Sequence, residues 1–125
     1  MAPGGSEVSR VDRAPDDLFL RIVAGEVPAT IVHSDDLVVA FEDVAPQAPV
    51  HVLVVPRTRW ENVAALAAGD PAALARLVQV AQAIADERCG GEHRLVFNTG
   101  TAVGQSVFHV HGHVLGGRDF TWPPG

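Results

Sequence analysis

Three of the six histidines in this 125-residue chain fall at every second position, in His109-Val110-His111-Gly112-His113. Side chains of an extended strand alternate faces, so this spacing projects three imidazoles from one side of one strand. Gln105, Val107 and Leu115 share that side. The opposite register, Ser106, Phe108, Val110, Gly112 and Val114, is mostly apolar and is expected to face the core, leaving the imidazoles displayed. Near neutral pH an imidazole serves as nucleophile, acid, base or metal ligand. Two chemistries are therefore open, covalent phosphoryl or nucleotidyl transfer and metal binding. A metal would need further ligands, and His51 could supply one. A cupin-like barrel around it would need more strands than the chain offers.

The stretch feeding this strand, Thr99-Gly100-Thr101-Ala102-Val103-Gly104, carries two glycines that let backbone N–H groups approach an anion closely. It has no Walker pattern, and the same glycines fit an ordinary turn. Arg57 and Arg59 could offset phosphate charge or serve as exposed solubilising groups.

These side chains need a scaffold. Leu18, Phe19, Ile22 and Val23 repeat at helical spacing between an acidic start and Gly25, predicting a short helix. Thr30 to His33 and Leu37 to Asp43 flank a polar turn and predict a β-hairpin with Val39, Phe41 and Asp43 on one face. Val50 to Pro56 suits a central strand, interrupted by His51. Asp70 as N-cap, Pro71 after it, and Leu74, Leu77, Val78, Ala81, Ile84 and Ala85 at helical spacing predict a long helix stopped at Gly90-Gly91. Asn62 to Ala68 adds a turn of helix before it, and Arg94 to Asn98 another strand. The predicted fold is α+β, about five antiparallel strands in one sheet with one long and one short helix.

Composition narrows the partners. Hydrophobic residues make up 47% of the chain, ample for one core, and the formal net charge is -6 with nine arginines and no lysine. No basic tract suits a nucleic acid or an anionic membrane. Cys89 stands alone, which rules out an internal disulfide and marks it as a small packing residue. No apolar run reaches membrane-spanning length. The expected location is the cytoplasm, with residues 1–14 a disordered leader and 15–125 one domain.

The segment His109-Val110-His111-Gly112-His113-Val114-Leu115 resembles the His-x-His-x-His signature of the histidine triad (HIT) superfamily of nucleotide hydrolases and transferases. Gly104-Gln105-Ser106-Val107 before it, Leu115-Gly116-Gly117-Arg118 after it and the terminal Trp122-Pro123-Pro124-Gly125 resemble the Hint branch, the purine nucleoside phosphoramidases. The likeness runs from about Asp17 to the last residue.

The resemblance implies that His111 is the nucleophile, its other nitrogen tied to the carbonyl of His109. It further implies that His113 meets phosphate oxygens, that Ser106 bonds the leaving atom, and that His51 supports His109. Asp43 would accept the ribose hydroxyls, Phe41 and Val44 would enclose a purine, and Asn98, Gly104, Gln105, Ser106 and Val107 would surround the phosphate. Trp122 would lie near the partner's site in a homodimer. No metal or other cofactor is implied. The Cys-x-x-Cys pair of many HIT proteins falls at Asp17 and Leu20, and Leu20 cannot ligate zinc. Histidine rather than glutamine at position 113 argues for hydrolysis over transfer to a second phosphate. A Fhit-type dinucleoside polyphosphate hydrolase and a non-catalytic nucleotide-binding scaffold are the competing readings. The pattern is broken at Gly112, where a larger apolar residue is usual.

Overall fold

The computed structural model describes residues 15–125; the expected leader, residues 1–14, lies outside the described residues. The elements run α1 (Leu18–Val23), β1 (Ile31–Ser34), β2 (Val38–Glu42), β3 (Val50–Pro56), α2 (Val63–Gly69), α3 (Pro71–Cys89), β4 (His93–Val96) and β5 (Gly112–Gly116), with a 3-10 turn at Thr101–Val103. The five strands form one antiparallel sheet in the order β1-β2-β3-β5-β4. This is the α+β architecture expected, with α2 a helix in its own right.

The Asp70 start and the Gly90 stop of α3 act as the sequence predicts, and Asn62, expected within the preceding helical turn, caps α2 instead. Asn62 accepts from the Ala65 amide at 2.9 Å and Asp70 from the Ala73 amide at 3.2 Å, while Gly90 closes α3 in the left-handed conformation at φ 68°. The inward face of α3 differs from the expected stripe. Ala73, Leu77, Val80, Ala81, Ile84 and Ala85 are buried, whereas Val78 is 45% exposed. Val78 sits about 100° around the helix from Leu77, the residue that points at the sheet, and so cannot face it too.

Strand β3 is buried along its whole length because layers cover both faces of the sheet. Val50, Val52 and Val54 join Val38, Ala40 and Val114 under α2 and α3, with Leu66 and Leu77 fully buried among them. On the other face Leu53 and Val55 join Val39 and Phe41 under Phe19 and Ile22 of α1. Burying each such Val, Leu, Ile or Phe side chain contributes about 1.5–3 kcal/mol.

Gly112 belongs to the α3 side. A Cβ there would stand 2.9 Å from Leu95 Cδ1, 3.1 Å from Leu77 Cδ2 and 3.2 Å from Phe97 Cε1. Three neighbouring side chains already occupy the space that a larger residue would fill. Gly112→Leu is therefore expected to overpack the core and lower stability by about 1–3 kcal/mol. Urea denaturation should show an earlier midpoint; an unchanged or later one would refute this packing account.

Candidate active site

The three histidines do not share one strand. β5 begins at Gly112, so His113 alone of the three stands in the paired sheet. The reason lies across the ladder. Val54 pairs with Gly112, and continuing the register would bring Val110 opposite Pro56, which has no N–H to give. The Val110 amide turns instead to the carbonyl of Trp60 at 2.7 Å, and His109 and His111 lie in a segment outside the sheet that bends at residues 107–109.

Nor are the imidazoles displayed. His109 is 0% exposed, His51 5% and His111 8%. Phe19 of α1 covers His109 and His111, its ring centroid 4.9 Å from that of His111, 5.6 Å from His109 and 5.5 Å from Phe41, while His113 is half-buried. Both sides of the histidine segment are packed, because the short helix supplies a second layer that alternation alone cannot reveal.

Hydrogen bonds fix each ring. His111 Nδ1 lies 2.9 Å from the carbonyl oxygen of His109; a carbonyl only accepts, so the ring's proton is on Nδ1 and Nε2 carries the lone pair. His109 Nε2 lies 2.8 Å from the Pro56 carbonyl and is protonated by the same logic, leaving its buried Nδ1 without a partner. His51 supports a different histidine from the one expected. Its Nε2 is 2.9 Å from His113 Nδ1 and 3.3 Å from Asp43 Oδ2. The sheet dictates this choice: Leu53 pairs with His113 and His51 with Leu115, so His51 and His113 are diagonal neighbours on one face.

Burial is the main cause that holds all three triad imidazoles below the ordinary histidine pKa. For His111 it outweighs the His109 carbonyl and the Asp43 charge, which act the other way. His113 is lowered to about 4, with His111 and His51 adding to the effect of burial. Burial thus favours the uncharged form of each ring.

Beside them an apolar cleft of about 300 Å³ is walled by Leu18, Phe19, Ile22, Val27, Phe41 and Leu53 and rimmed by Asp43 and Val44. Phe41, Leu53, His113 and Val96 stand in one transverse row of the sheet, placing the cleft on the β2 side of the triad. Asp43 is fixed at its mouth by accepting from the Ala45 amide at 2.8 Å. Asp43, His51 and His113 also form the one cluster among the described residues that could hold a metal ion, their ligand atoms within 4.8 Å of one another. The contacts between these atoms are hydrogen-bond distances.

A model of the HIT domain family matches residues 24–120. The chain belongs to the HIT domain family. An uncharacterized HIT-like protein of Synechocystis is 50% identical over 113 residues, 90% of this chain and 99% of that one. The purine nucleoside phosphoramidase of Escherichia coli is 42% identical over 107 residues, 84% of this chain and 90% of that one. Among solved structures, a HIT family hydrolase of Legionella pneumophila superposes with a TM-score of 0.81 at 42% identity, over 86% of this chain and 98% of that one.

Within this HIT fold the expected phosphate-loop residues divide. Gly104, with φ 101°, sits where a Cβ would stand 3.8 Å from Asn98 Nδ2, and Ser106 is exposed at the loop's end. Gln105 is 2% exposed and spent internally: Oε1 accepts from the Gly100 amide at 2.8 Å, and Nε2 donates to the carbonyls of Glu61 at 2.7 Å and Val107 at 3.1 Å. It braces the loop, so its side chain is not available as a substrate contact. Val107 is core, packed with Phe19 and Leu53.

Arg57 is committed to the β1-β2 turn through the Asp35 carbonyl and Ser34 Oγ, and Arg59 lies 3.6 Å from Asp16. Trp122 is 83% exposed on a tail held along β4 and β5 by Arg94, which donates to the Thr121 carbonyl, and by Phe120 under the Arg118 guanidinium at 3.9 Å. A single chain does not bring it to the histidines. The α1 wall, Leu18, Phe19 and Ile22, was legible only as a helix stripe; the apolar histidine-side positions Val39, Phe41, Leu53 and Val55 were the signal that this stripe must cover the triad.

Proposed function

We propose that the chain hydrolyses the phosphorus–nitrogen bond of purine nucleoside 5′-phosphoramidates through a nucleotidyl-histidine. The observation that carries this reading is the His111 ring: its Nδ1–H held by the His109 carbonyl, which leaves the lone pair on Nε2, and its centroid 4.9 Å from that of Phe19, a wall of the apolar cleft. The name of the 42% identical Escherichia coli relative supports it.

In the first step His111 Nε2 bonds to the α-phosphorus as the P–N bond breaks, the nitrogen leaving with the bonding pair and taking up as amine a proton from solvent, which the attacking water returns to solvent in the second step. Water then attacks the phosphorus and His111 departs as neutral imidazole. Overall one water is consumed: one hydrogen ends on the amine and the hydroxyl on phosphorus. The purine would fill the cleft against Phe41 and Phe19, the ribose hydroxyls would donate to Asp43, and His113, Asn98, Ser106 and the Gly104 backbone would surround the phosphate. In a homodimer the exposed Trp122 would border the leaving-group side of the partner's site.

The test is steady-state hydrolysis of adenosine and guanosine phosphoramidates beside a diadenosine polyphosphate, in EDTA. Both phosphoramidates should turn over, within about tenfold of each other because apolar walls read a purine by shape. Preferential cleavage of the polyphosphate would favour the Fhit-type reading, no cleavage a binding protein, and loss of activity restored by zinc a metal site.

The pH profile follows from burial. A protonated His111 has no lone pair to attack with, and its pKa in the folded chain lies below 6.5. Hence the acid limb of kcat/KM should have its midpoint below 6.5, the pH at which an exposed imidazole would be half protonated. A midpoint at or above 6.5 would refute this.

A further inference from the structure

We infer that His51 is a positioning residue that couples sugar recognition at Asp43 to the hydrogen bond His113 offers the phosphoryl group. The inference rests on the reading above for what occupies the two ends. Its middle is fixed by the chain alone.

The proton positions follow from one backbone amide. The Gln47 N–H, at the start of the turn into β3, points at His51 Nδ1 from 3.0 Å. An amide N–H only donates, so Nδ1 accepts and the proton of His51 sits on Nε2. That nitrogen has two acceptors in reach, His113 Nδ1 at 2.9 Å and Asp43 Oδ2 at 3.3 Å. Because His113 Nδ1 accepts, the His113 proton is on Nε2. The third histidine is thus an uncharged donor whose ring centroid lies 5.0 Å from that of His111.

His51 is 5% exposed, so its single Nε2–H is divided between Asp43 and His113 with almost no share for water. Hydroxyl groups donating to Asp43 drain charge from the carboxylate and weaken its hold on that hydrogen. The hydrogen then goes wholly to His113 Nδ1. An imidazole that accepts more strongly at one nitrogen donates more strongly at the other, since linked hydrogen bonds polarise one another. A ribose seated on Asp43 therefore strengthens the His113 Nε2–H contact beside the reacting nitrogen. Sugar recognition enters the rate as well as the affinity.

Two measurements test this. The first compares single-turnover nucleotidylation of a ribonucleoside phosphoramidate with its 2′,3′-dideoxy analogue. In the wild type, losing the hydroxyls should lower the saturated rate by about tenfold, within the range of typical site-to-site coupling, besides raising the half-saturating concentration. In His51→Ala both saturated rates should be low and agree within about twofold, leaving an effect on binding alone. His51→Gln, whose amide N–H replaces the donated hydrogen, should recover most of the difference. Equal fold-losses in wild type and His51→Ala would overturn the coupling.

The second measurement needs no variant and no turnover. Nitrogen-15 spectra of the histidine rings in the wild-type chain should show His113 protonated on Nε2, and its Nδ1 signal should move on adding AMP but not 2′,3′-dideoxy-AMP. A proton on His113 Nδ1, or no response specific to AMP, would overturn the inference even if His51 variants do not fold. Should the AMP response appear in a chain that cleaves no phosphoramidate, the proposed reaction falls and the coupling stands; cleavage without the response gives the converse.

Discussion

Replacing His111 with alanine is expected to lower phosphoramidate turnover by roughly three orders of magnitude or more, about 4 kcal/mol of transition-state stabilisation, while leaving the chain folded. One hydrogen bond, from Nδ1 to the His109 carbonyl, orients the ring, and in the proposed reaction no second imidazole can take its place. His113 lies beside it, but its Nδ1 accepts from His51, so its Nε2 carries the proton and has no lone pair to attack with. The contrast with His109→Ala sharpens the expectation. His109 contributes to His111 through its backbone carbonyl, which alanine keeps. Its side chain ties the triad segment to the Pro56 carbonyl and fills a fully buried space. His109→Ala should thus cost about 2–4 kcal/mol of stability and a far smaller share of the rate. Quenched reactions of the wild type should carry a nucleotide on His111 by mass spectrometry. An adduct on another residue, or a His109 variant with the larger rate loss at equal folded fraction, would overturn the assignment.

Gln105→Ala should come next in effect, and it should act on the fold and the rate together. Removal of the amide leaves the Gly100 N–H and the Glu61 and Val107 carbonyls without the partner that now satisfies them, a loss of about 2–4 kcal/mol. The loop carrying Gly104 and Ser106 would then be held by the Gln105 amide on the Gly100 carbonyl at 3.0 Å. Misplacement of a loop by about 1 Å can cost on the order of a hundredfold, so kcat should fall by about ten- to a hundredfold. Gln105→Glu should do no better, since a carboxylate cannot donate to the two carbonyls. A side chain that instead touched the substrate would raise KM and leave the denaturation midpoint where it was; that pattern would return Gln105 to the binding site.

The sequence by itself determined the family and every element except the extent of the triad strand. Helical spacing, the Asp70-Pro71 start and the Gly90 stop gave α3 its bounds, β-branched runs gave β2 and β3, and the alternating histidines with their flanks identified the HIT resemblance. These features are local: a cap, a period and a motif are complete within a few residues. What only the tertiary structure decided depends on contacts between distant segments. The pairing of His51 with His113 rather than His109 follows from the β3-β5 register. The end of that ladder at Pro56, which lifts His109 and His111 out of the sheet, requires knowing which residue Val110 would face. The inward turn of Gln105 depends on Glu61, and the burial of the triad on α1 folding over it. Gly112 shows the division within one residue: the chain alone marks it as unusual, and the three side chains that already fill its place become known only when β4, β5 and α3 are packed together. A linear pattern specifies which atoms a strand or helix carries; which of them meet is set by register and layer order, which belong to the folded chain.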